Sequence, residues 1–253
     1  MRGSNPTLSD KALEQSRQLA GFSGEAMTVN GSINKCITLI GICIAVAVYA
    51  WKQTLVQIPN SAEVALQLSP YVMVSAIVGL VLALIICFKK TLAPVLAPVY
   101  AAVEGFLIGS VSANFEYMYN GIVSQAITGT VVTFVVLLAL YRSGIIKATQ
   151  RFKSVLFTAT AAIMVLYVLS FVLSFFSINV PYIHESGMIG IGFSVFVVVI
   201  AALNLIIDFD FIEKGSAMKA PKYMEWYAGF GLLVTLIWLY LEILRLLAKT
   251  KRR

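Results

Sequence analysis

Carboxylates lie inside and beside the apolar segments of this chain. A run of 20 uncharged residues, 188–207, leads directly into Asp208 and Asp210, and another acid, Glu242, lies within the last apolar run, 226–248. Charged groups are costly in or near lipid and are retained there for ion pathways, proton relays or ion pairs. Two acids on two membrane helices therefore indicate a site that handles protons or cations.

Helical spacing separates the acids that follow residue 207. Steps of three and four residues back from Asp208 give a row of small or polar residues, the composition of helix–helix contacts in membranes. That row contains Gly190, Ser194, Val197, Ala201 and Asn204. Asp208 is therefore expected to face the interior. The row behind Asp210 is bulky and apolar and suits lipid. Asp210 is expected at the headgroup boundary beside Lys214, with Glu213 as another boundary charge.

The last apolar run repeats the inward pattern around Glu242. Its helical row holds Gly231 and Thr235 on one side and Arg245 on the other. Glu242 is therefore also expected to face inward, and an ion pair with Arg245 at i+3 is its structural interpretation. Thr235 and Asn204 are candidate polar lining residues of a pathway between the helices.

Contact between Asp208 and Glu242 depends on where helices 6 and 7 end and begin. With straight spans the two acids lie at different depths. If helix 6 continues to about Lys214 and helix 7 begins near Leu232, the difference falls to about 6 Å. At close range two carboxylates share a proton and titrate as a coupled pair. Loss of that proton creates repulsion between the helices and leaves anionic oxygens for a cation.

The elements that position these acids are predicted to be transmembrane helices. The chain is 59% hydrophobic and 12% charged, against about 25% charged residues in soluble domains. Seven apolar runs approach the roughly 20 residues that cross a bilayer. We expect an all-α integral membrane protein with a polar segment 1–32, a membrane domain 33–248 and a basic tail 249–253. The spans are predicted at 33–51, 70–88, 94–113, 122–141, 154–176, 188–207 and 226–248.

Charge distribution predicts the topology. The net charge is +7, which in a membrane protein reports orientation and contact with anionic lipid before any nucleic-acid binding. Most lysines and arginines fall on the side of the N-terminus and of the connections 142–153 and 208–225, so that side is expected in the cytoplasm. With seven spans the basic tail lies outside, against this rule. Either early helices fix the orientation, or the last apolar segment does not fully cross; seven spans are preferred.

The remaining candidate residues give weaker signals. Glu104 lies inside the third span beside the pair Gly105 and Gly109, whose GxxxG spacing lets another helix approach closely. We treat Glu104 as a possible pathway acid that is either protonated or paired across the bundle. The chain has 3 cysteines and 1 histidine without metal-site spacing, so no resident cofactor is expected. Short connections leave no room for a catalytic domain, and no enzyme is expected.

Two segments resemble the Bax inhibitor-1 family, also called the transmembrane Bax inhibitor motif family. They are Asn204-Leu-Ile-Ile-Asp208 and Trp238-Leu-Tyr-Leu-Glu242 followed by a leucine-rich run. Asp208 matches the family's helix 6 acid, and Tyr240-Leu241-Glu242 matches its Tyr-Leu-Asp. The chain departs from the pattern in having Ile207 before the first acid and glutamate as the second. The resemblance covers nearly all seven spans and is strongest to the bacterial branch.

The resemblance implies six helices around a central seventh helix, a bacterial plasma membrane location and a pH-sensitive calcium leak. Asp208 and Glu242 would then meet calcium and sense protons, and Arg245 would take part in gating. The arginine latch of some members would fall near Lys89. Lipid, calcium and protons are the expected partners; protein partners are unknown.

Three other functions stay open from the sequence. A proton-coupled transporter for a small solute would use the same acids, although no inverted repeat is evident. A non-transporting regulatory membrane protein would act through helix contacts or partners. An intramembrane aspartyl protease also needs two acids, but the GxGD pattern is absent and one acid is glutamate.

Overall fold

Seven long apolar helices make up most of the part of the chain that the structure describes. The structure, a computed structural model, describes residues 25–57, 64–66, 71–174 and 187–252. In these ranges all seven helices are long and apolar enough to cross a membrane, which confirms the predicted all-α membrane bundle. They are α1 Val29–Thr54, α2 Tyr71–Phe88, α3 Ala93–Met118, α4 Ile122–Arg142, α5 Gln150–Ser174, α6 Met188–Ala217 and α7 Met224–Lys251.

Two short elements complete the described chain. A small antiparallel hairpin pairs β1 Leu55–Gln57 with β2 Val64–Leu66 after α1. A 3₁₀ turn, Lys90–Leu92, leads into α3. Most of the predicted polar segment 1–32 and the predicted end of the fifth span at residue 176 lie outside the described residues.

Helix α7 is the centre of the bundle. It packs directly against α1, α3, α4 and α6, while α2 packs on α3 and α5 packs on α6. Its side chains toward these neighbours include the fully buried Tyr227, Leu239 and Leu244. Of the seven spans, α7 has the largest buried share. The predicted central seventh helix is therefore confirmed, with α2 and α5 at the periphery.

Helices α1 and α3 approach each other closely at two glycines. A Cβ added to Gly105 would lie 2.4 Å from the Cys43 carbonyl oxygen, and one added to Gly109 would lie 2.2 Å from the Ala47 carbonyl oxygen. Small residues at such points let helix backbones touch in a membrane. The GxxxG prediction is confirmed, and its partner is α1.

The bounds of α6 and α7 differ from the predicted spans. Helix α6 continues to Ala217, past the predicted extension to about Lys214. The proposed start of helix 7 near Leu232 is wrong, because α7 begins at Met224 and its first turn is buried. At its other end α7 runs through Lys251. Lys249, expected in a solvated tail, is a buried helical residue whose Nζ donates to Ser194 Oγ at 2.8 Å.

The last helix crosses the whole bundle. At its start, the Met27 backbone N–H before α1 donates to the Ala220 carbonyl before α7 at 2.6 Å. At its end, Lys251 Nζ donates to the Asn120 carbonyl between α3 and α4 at 3.0 Å. The two ends of α7 thus contact opposite ends of the other helices. This arrangement supports seven spans over an incomplete last span.

Glu225 joins the start of α7 to the start of α1. Its carboxylate is fully buried, and Oε1 accepts from the Thr28 backbone N–H at 3.0 Å and from the Thr28 hydroxyl at 3.1 Å. The Thr28 hydroxyl in turn accepts from the Gly31 backbone N–H and caps α1. Lys222, exposed in the α6–α7 connection, lies 3.4 Å from Glu225. Attraction to Glu225 raises the pKa of Lys222 above its ordinary value of 10.5. Lys222 is therefore still mostly protonated when the pH reaches 10.5.

Replacement of Glu225 by alanine is expected to destabilise the protein by about 1–3 kcal/mol, because two donors of Thr28 lose a charged acceptor in a buried position. A lower midpoint of thermal unfolding in detergent at neutral pH would show this. Glu25→Ala is the matched control, since Glu25 lies 3.4 Å from the same Lys222 but its side chain is 83% exposed. Equal midpoints for the two variants would contradict the proposed role.

Candidate functional site

Asp208 lies in the interior between α1, α6 and α7. Its side chain neighbours Cys36 of α1 and Thr235 of α7, and the residue is 2% exposed. The Thr235 hydroxyl donates to the Gly231 carbonyl at 3.2 Å. Thr235 lies close enough to Asp208 to bond with it, but its single hydroxyl proton is used for Gly231. Neither carboxylate oxygen of Asp208 therefore has a hydrogen-bond partner among the residues that the structure describes. The predicted inward orientation of Asp208 is confirmed. Its proximity to Thr235, rather than to Glu242, was not predicted.

Small residues of α6 allow this close packing. Gly190, Ser194 and Ala201 are buried in the α6 row that leads to Asp208. Asn204 is also buried but turns to α5, where its Nδ2 donates to Thr160 Oγ1 at 3.0 Å. The row therefore faces the interior as predicted, and Asn204 connects α6 to α5.

Glu242 is the centre of a polar cluster on α5 and α7. The residue is 1% exposed, and its Oε1 accepts from Arg245 Nη1 at 2.8 Å, Tyr167 Oη at 3.0 Å and Trp238 Nε1 at 3.3 Å. Arg245 also donates to Tyr167 Oη at 2.9 Å. Within the described part of the chain, Oε2 of Glu242 has no hydrogen-bond partner. The predicted ion pair with Arg245 is confirmed.

The structure does not bring Asp208 and Glu242 together. Helices α6 and α7 are antiparallel, and their register is fixed where Lys249 contacts Ser194 and where Thr235 neighbours Asp208. Glu242 is seven residues beyond Thr235, or about 10 Å along the helix axis. The two acids therefore occupy separate levels of one interface. The predicted approach to about 6 Å required helix 7 to begin eight residues later than it does.

Asp210 occupies a different environment from the one predicted. Its Oδ2 lies 2.9 Å from Lys214 Nζ, as expected, and 2.5 Å from Nζ of Lys153 at the start of α5. The expected orientation of Asp210 toward lipid and headgroups is wrong, because the residue is buried within the protein. The extension of α6 to Ala217 places residue 210 beside α5. Glu213 accepts a hydrogen bond from the Tyr141 hydroxyl and is exposed.

Glu104 and Lys89 lie away from the α6–α7 interface. Glu104 faces α2, where a Cβ added to Gly79 would lie 2.6 Å from its Oε1. Lys89 is exposed between α2 and the 3₁₀ turn. The neighbouring Lys90 turns inward instead, with Nζ 5.8 Å from the Tyr227 ring centroid. Tyr227 is eight residues, or about 12 Å, from the level of Thr235 and Asp208.

Tyr167 of the Glu242 cluster and the nearby Lys249, which donates to Ser194 and Gly190 of α6, were not expected from the sequence. Tyr167 is a lone phenol in the apolar fifth span, and spacing gives no sign of its contact with α7. Lys249 lies seven residues after Glu242 and four after Arg245, so it belongs to the same helical face. That spacing could have predicted its position, but residue 249 was assigned to the basic tail and not to the helix.

The donor set limits what the interface can bind. Among the described residues, no three His, Cys, Asp or Glu side chains gather as a metal site. Calcium prefers six to eight oxygen ligands, so a single carboxylate with carbonyls and water would bind it weakly. The arrangement suits brief contact with a hydrated cation, or the gain and loss of a proton.

Comparison with known proteins gives one result at the level of families. A family model described as Bax inhibitor 1 like matches residues 5–252, nearly the whole chain. The comparison with curated proteins gives no match.

Proposed function

The chain belongs to the Bax inhibitor 1 like family, and we propose that it is a pH-sensitive leak channel for calcium or a related cation. Asp208 and Glu242 are the acids that respond to protons and meet the cation, at two levels of the α6–α7 interface. The observation that carries the proposal is the buried carboxylate of Asp208, whose oxygens have no hydrogen-bond partner among the described residues.

The position of Asp208 supports a role in proton control. Its neighbour Thr235 lies 11 residues after the start of α7, which is about 16 Å along the helix axis. A hydrocarbon core is about 30 Å thick, so this position is close to its middle. An ionised carboxylate without a partner at that depth is costly. The neutral acid therefore suits the packed state, and loss of the proton favours a state in which water or a cation reaches Asp208.

The Glu242 cluster supports a barrier to cations at a second level of the interface, about 10 Å from Asp208. Arg245 and Lys249 place two positive charges on the same face of α7 as Glu242. In the packed state Arg245 is paired with Glu242, and these charges oppose the passage of a cation. Separation of Arg245 from Glu242 would leave an anionic site in the pathway. Weak, partly hydrated coordination favours a leak over storage of calcium.

The proposal also includes the orientation of the protein in the membrane and its cellular location. The N-terminus and the α6–α7 connection are assigned to the cytoplasm from the distribution of lysine and arginine, and the plasma membrane is the proposed location. Two further residues have minor roles in the proposal. Glu104, at the α2–α3 contact, is a possible pathway acid, and Lys89, at the end of α2, is a possible gating residue. The proposal includes no catalysis.

The experiment is calcium flux into proteoliposomes that contain the purified protein. We expect wild-type flux to rise from mildly acidic to mildly alkaline pH. The double variant Asp208→Asn, Glu242→Gln is expected to lose this rise and to carry roughly a hundredfold less calcium at alkaline pH, because the attraction of two carboxylates is removed, at roughly tenfold for each.

Glu213→Gln is the matched control, since it neutralises an exposed acid of α6 outside the interface. Its flux should match that of the wild type. Flux no greater than that of empty liposomes would overturn the leak proposal. Unchanged flux in the double variant would overturn the residue roles. Saturable, proton-coupled uptake of a solute would favour a transporter instead.

A further inference from the structure

A cavity of about 610 Å³ opens between α1 and α4. Side chains of α3 and α7, including Ser112 and Tyr240, form its floor. It lies in the half of the bundle that contains the end of α1, and it extends along α1 from Ile40 to Lys52. Ligand cavities in proteins commonly have volumes of about 300–1,000 Å³, so this one has the size of a small-molecule site.

The rims of the cavity face the hydrocarbon of the membrane. Ile44 and Val48 on α1, and Ile127 and Val131 on α4, line the cavity and are each about half exposed. All four are large apolar side chains within membrane-spanning helices. The opening is therefore accessible from the lipid, and the adjacent medium is acyl chains.

The three hydroxyl groups of the cavity wall already have partners. Ser112 Oγ and the Tyr240 hydroxyl lie 2.6 Å apart and bond to each other, and the Thr130 hydroxyl donates to the Ala126 carbonyl at 2.8 Å. A polar solute would find few unsatisfied groups here. A hydrocarbon chain would satisfy the wall by dispersion contacts alone.

We propose that this cavity binds one acyl chain of an anionic phospholipid, whose headgroup lies against Lys52. The distance from Ile40 to Lys52 along α1 is about 18 Å, which matches one leaflet of a core about 30 Å thick. Lys52 is the one charged residue among the described lining residues, and it lies next to Trp51 near the end of α1. Tryptophan and lysine at a helix end mark the headgroup level, and lysine there attracts anionic lipid.

The site is separate from the proposed function. Neither Asp208 nor Glu242 lines the cavity. Lipid binding and calcium flux can therefore succeed or fail independently.

The experiment uses the full-length protein in nanodiscs of phosphatidylcholine with a small fraction of phosphatidylglycerol that carries a diazirine on one acyl chain. After irradiation, labelled residues are mapped by mass spectrometry. We expect labelling to concentrate on the α1 and α4 lining residues. The same diazirine chain on phosphatidylcholine, at the same small fraction, should label these residues about fivefold less, because Lys52 attracts the anionic headgroup.

Two variants separate the two parts of the site. Val131→Trp fills the opening and should reduce labelling about fivefold or more, because a tryptophan side chain occupies much of the space. Lys52→Gln should lower labelling by the phosphatidylglycerol probe about fivefold, to the level given by the phosphatidylcholine probe, and so abolish the preference. The controls are Val132→Trp, also about half exposed on α4 but outside the lining, and Lys219→Gln, near the opposite end of the bundle.

Three results would overturn the proposal. The first is labelling spread equally over other exposed apolar residues, such as Val165 and Val168 of α5. The second is unchanged labelling in a Val131→Trp protein with wild-type thermal stability. The third is the absence of lipid label from the cavity in nanodiscs that hold a dimer of the chain, which would indicate a second copy as the occupant. Equal labelling by the phosphatidylglycerol and phosphatidylcholine probes in the wild type would overturn the role of Lys52.

Discussion

Asp208→Asn is expected to hold cation flux near its acidic level at every pH. The asparagine amide imitates the neutral acid in size and polarity but has no proton to lose in this range. If ionisation of Asp208 drives the change from the packed to the conducting state, the alkaline rise of flux should disappear. Roughly tenfold less calcium should pass at alkaline pH, as expected for loss of one buried charge that attracts the cation. Proteoliposome flux across a pH series measures both quantities.

Two comparisons make the Asp208 prediction specific. Asp208→Glu keeps a titratable carboxyl group and should retain a pH response. Glu213→Gln removes an exposed acid from the same helix and should change nothing. A normal alkaline rise of flux in Asp208→Asn would contradict the proposed role and would leave Glu242 as the remaining proton sensor.

Stability should change in the opposite direction to flux in Asp208→Asn. A buried carboxylate without a partner penalises the packed state once it ionises, and asparagine removes that penalty. As the pH is raised into the alkaline range, the midpoint of thermal unfolding in detergent should therefore fall less for Asp208→Asn than for the wild type. This readout does not require that the protein conduct calcium, so it tests the electrostatic argument alone.

The two acids of the interface differ in what surrounds them. Glu242 has three donors on one oxygen, among them the guanidinium of Arg245, whereas Asp208 neighbours a thiol and a hydroxyl. In the packed state the negative charge of Glu242 is balanced by Arg245, whereas no cation pairs with Asp208 among the described residues. A single coupled pair was expected from the sequence. The separation of about 10 Å replaces it with one acid suited to proton sensing and one suited to a charged barrier.

Local sequence rules predicted the parts of the fold that depend on one helix at a time. Apolar run length gave the seven spans, and the row of small residues behind Asp208 gave its orientation, because both follow from the period of a single helix. The ion pair of Glu242 with Arg245 is also local, at i+3. Each of these predictions is confirmed by the structure.

Features that depend on register between helices were not predicted. The level of Glu242 relative to Asp208 follows from the start of α7, which Glu225 fixes through its contact with Thr28, 197 residues away in sequence. The burial of Asp210 follows from Lys153 at the start of α5. Such contacts join distant segments, and no spacing within one helix reports them.

Gly109→Ala is expected to destabilise the protein strongly, by about 3 kcal/mol or more, because overpacking against rigid backbone leaves little room to relax. The added Cβ would lie 2.2 Å from the Ala47 carbonyl oxygen and 2.7 Å from its Cα. No side-chain rotation relieves that contact, so α1 must move away from α3. The midpoint of thermal unfolding in detergent and the yield of folded protein should both fall.

Gly41→Ala is the matched control, because it makes the same substitution on α1 where no atom lies within 4 Å of the added Cβ. Alanine favours helix over glycine by about 1 kcal/mol, so this variant should be as stable as the wild type or more so. Equal unfolding midpoints for Gly109→Ala and Gly41→Ala would contradict the close approach of α1 and α3. Because α1 also carries Cys36 beside Asp208, any folded Gly109→Ala protein should show altered pH dependence of flux, although the glycine lies on a different helix from either acid.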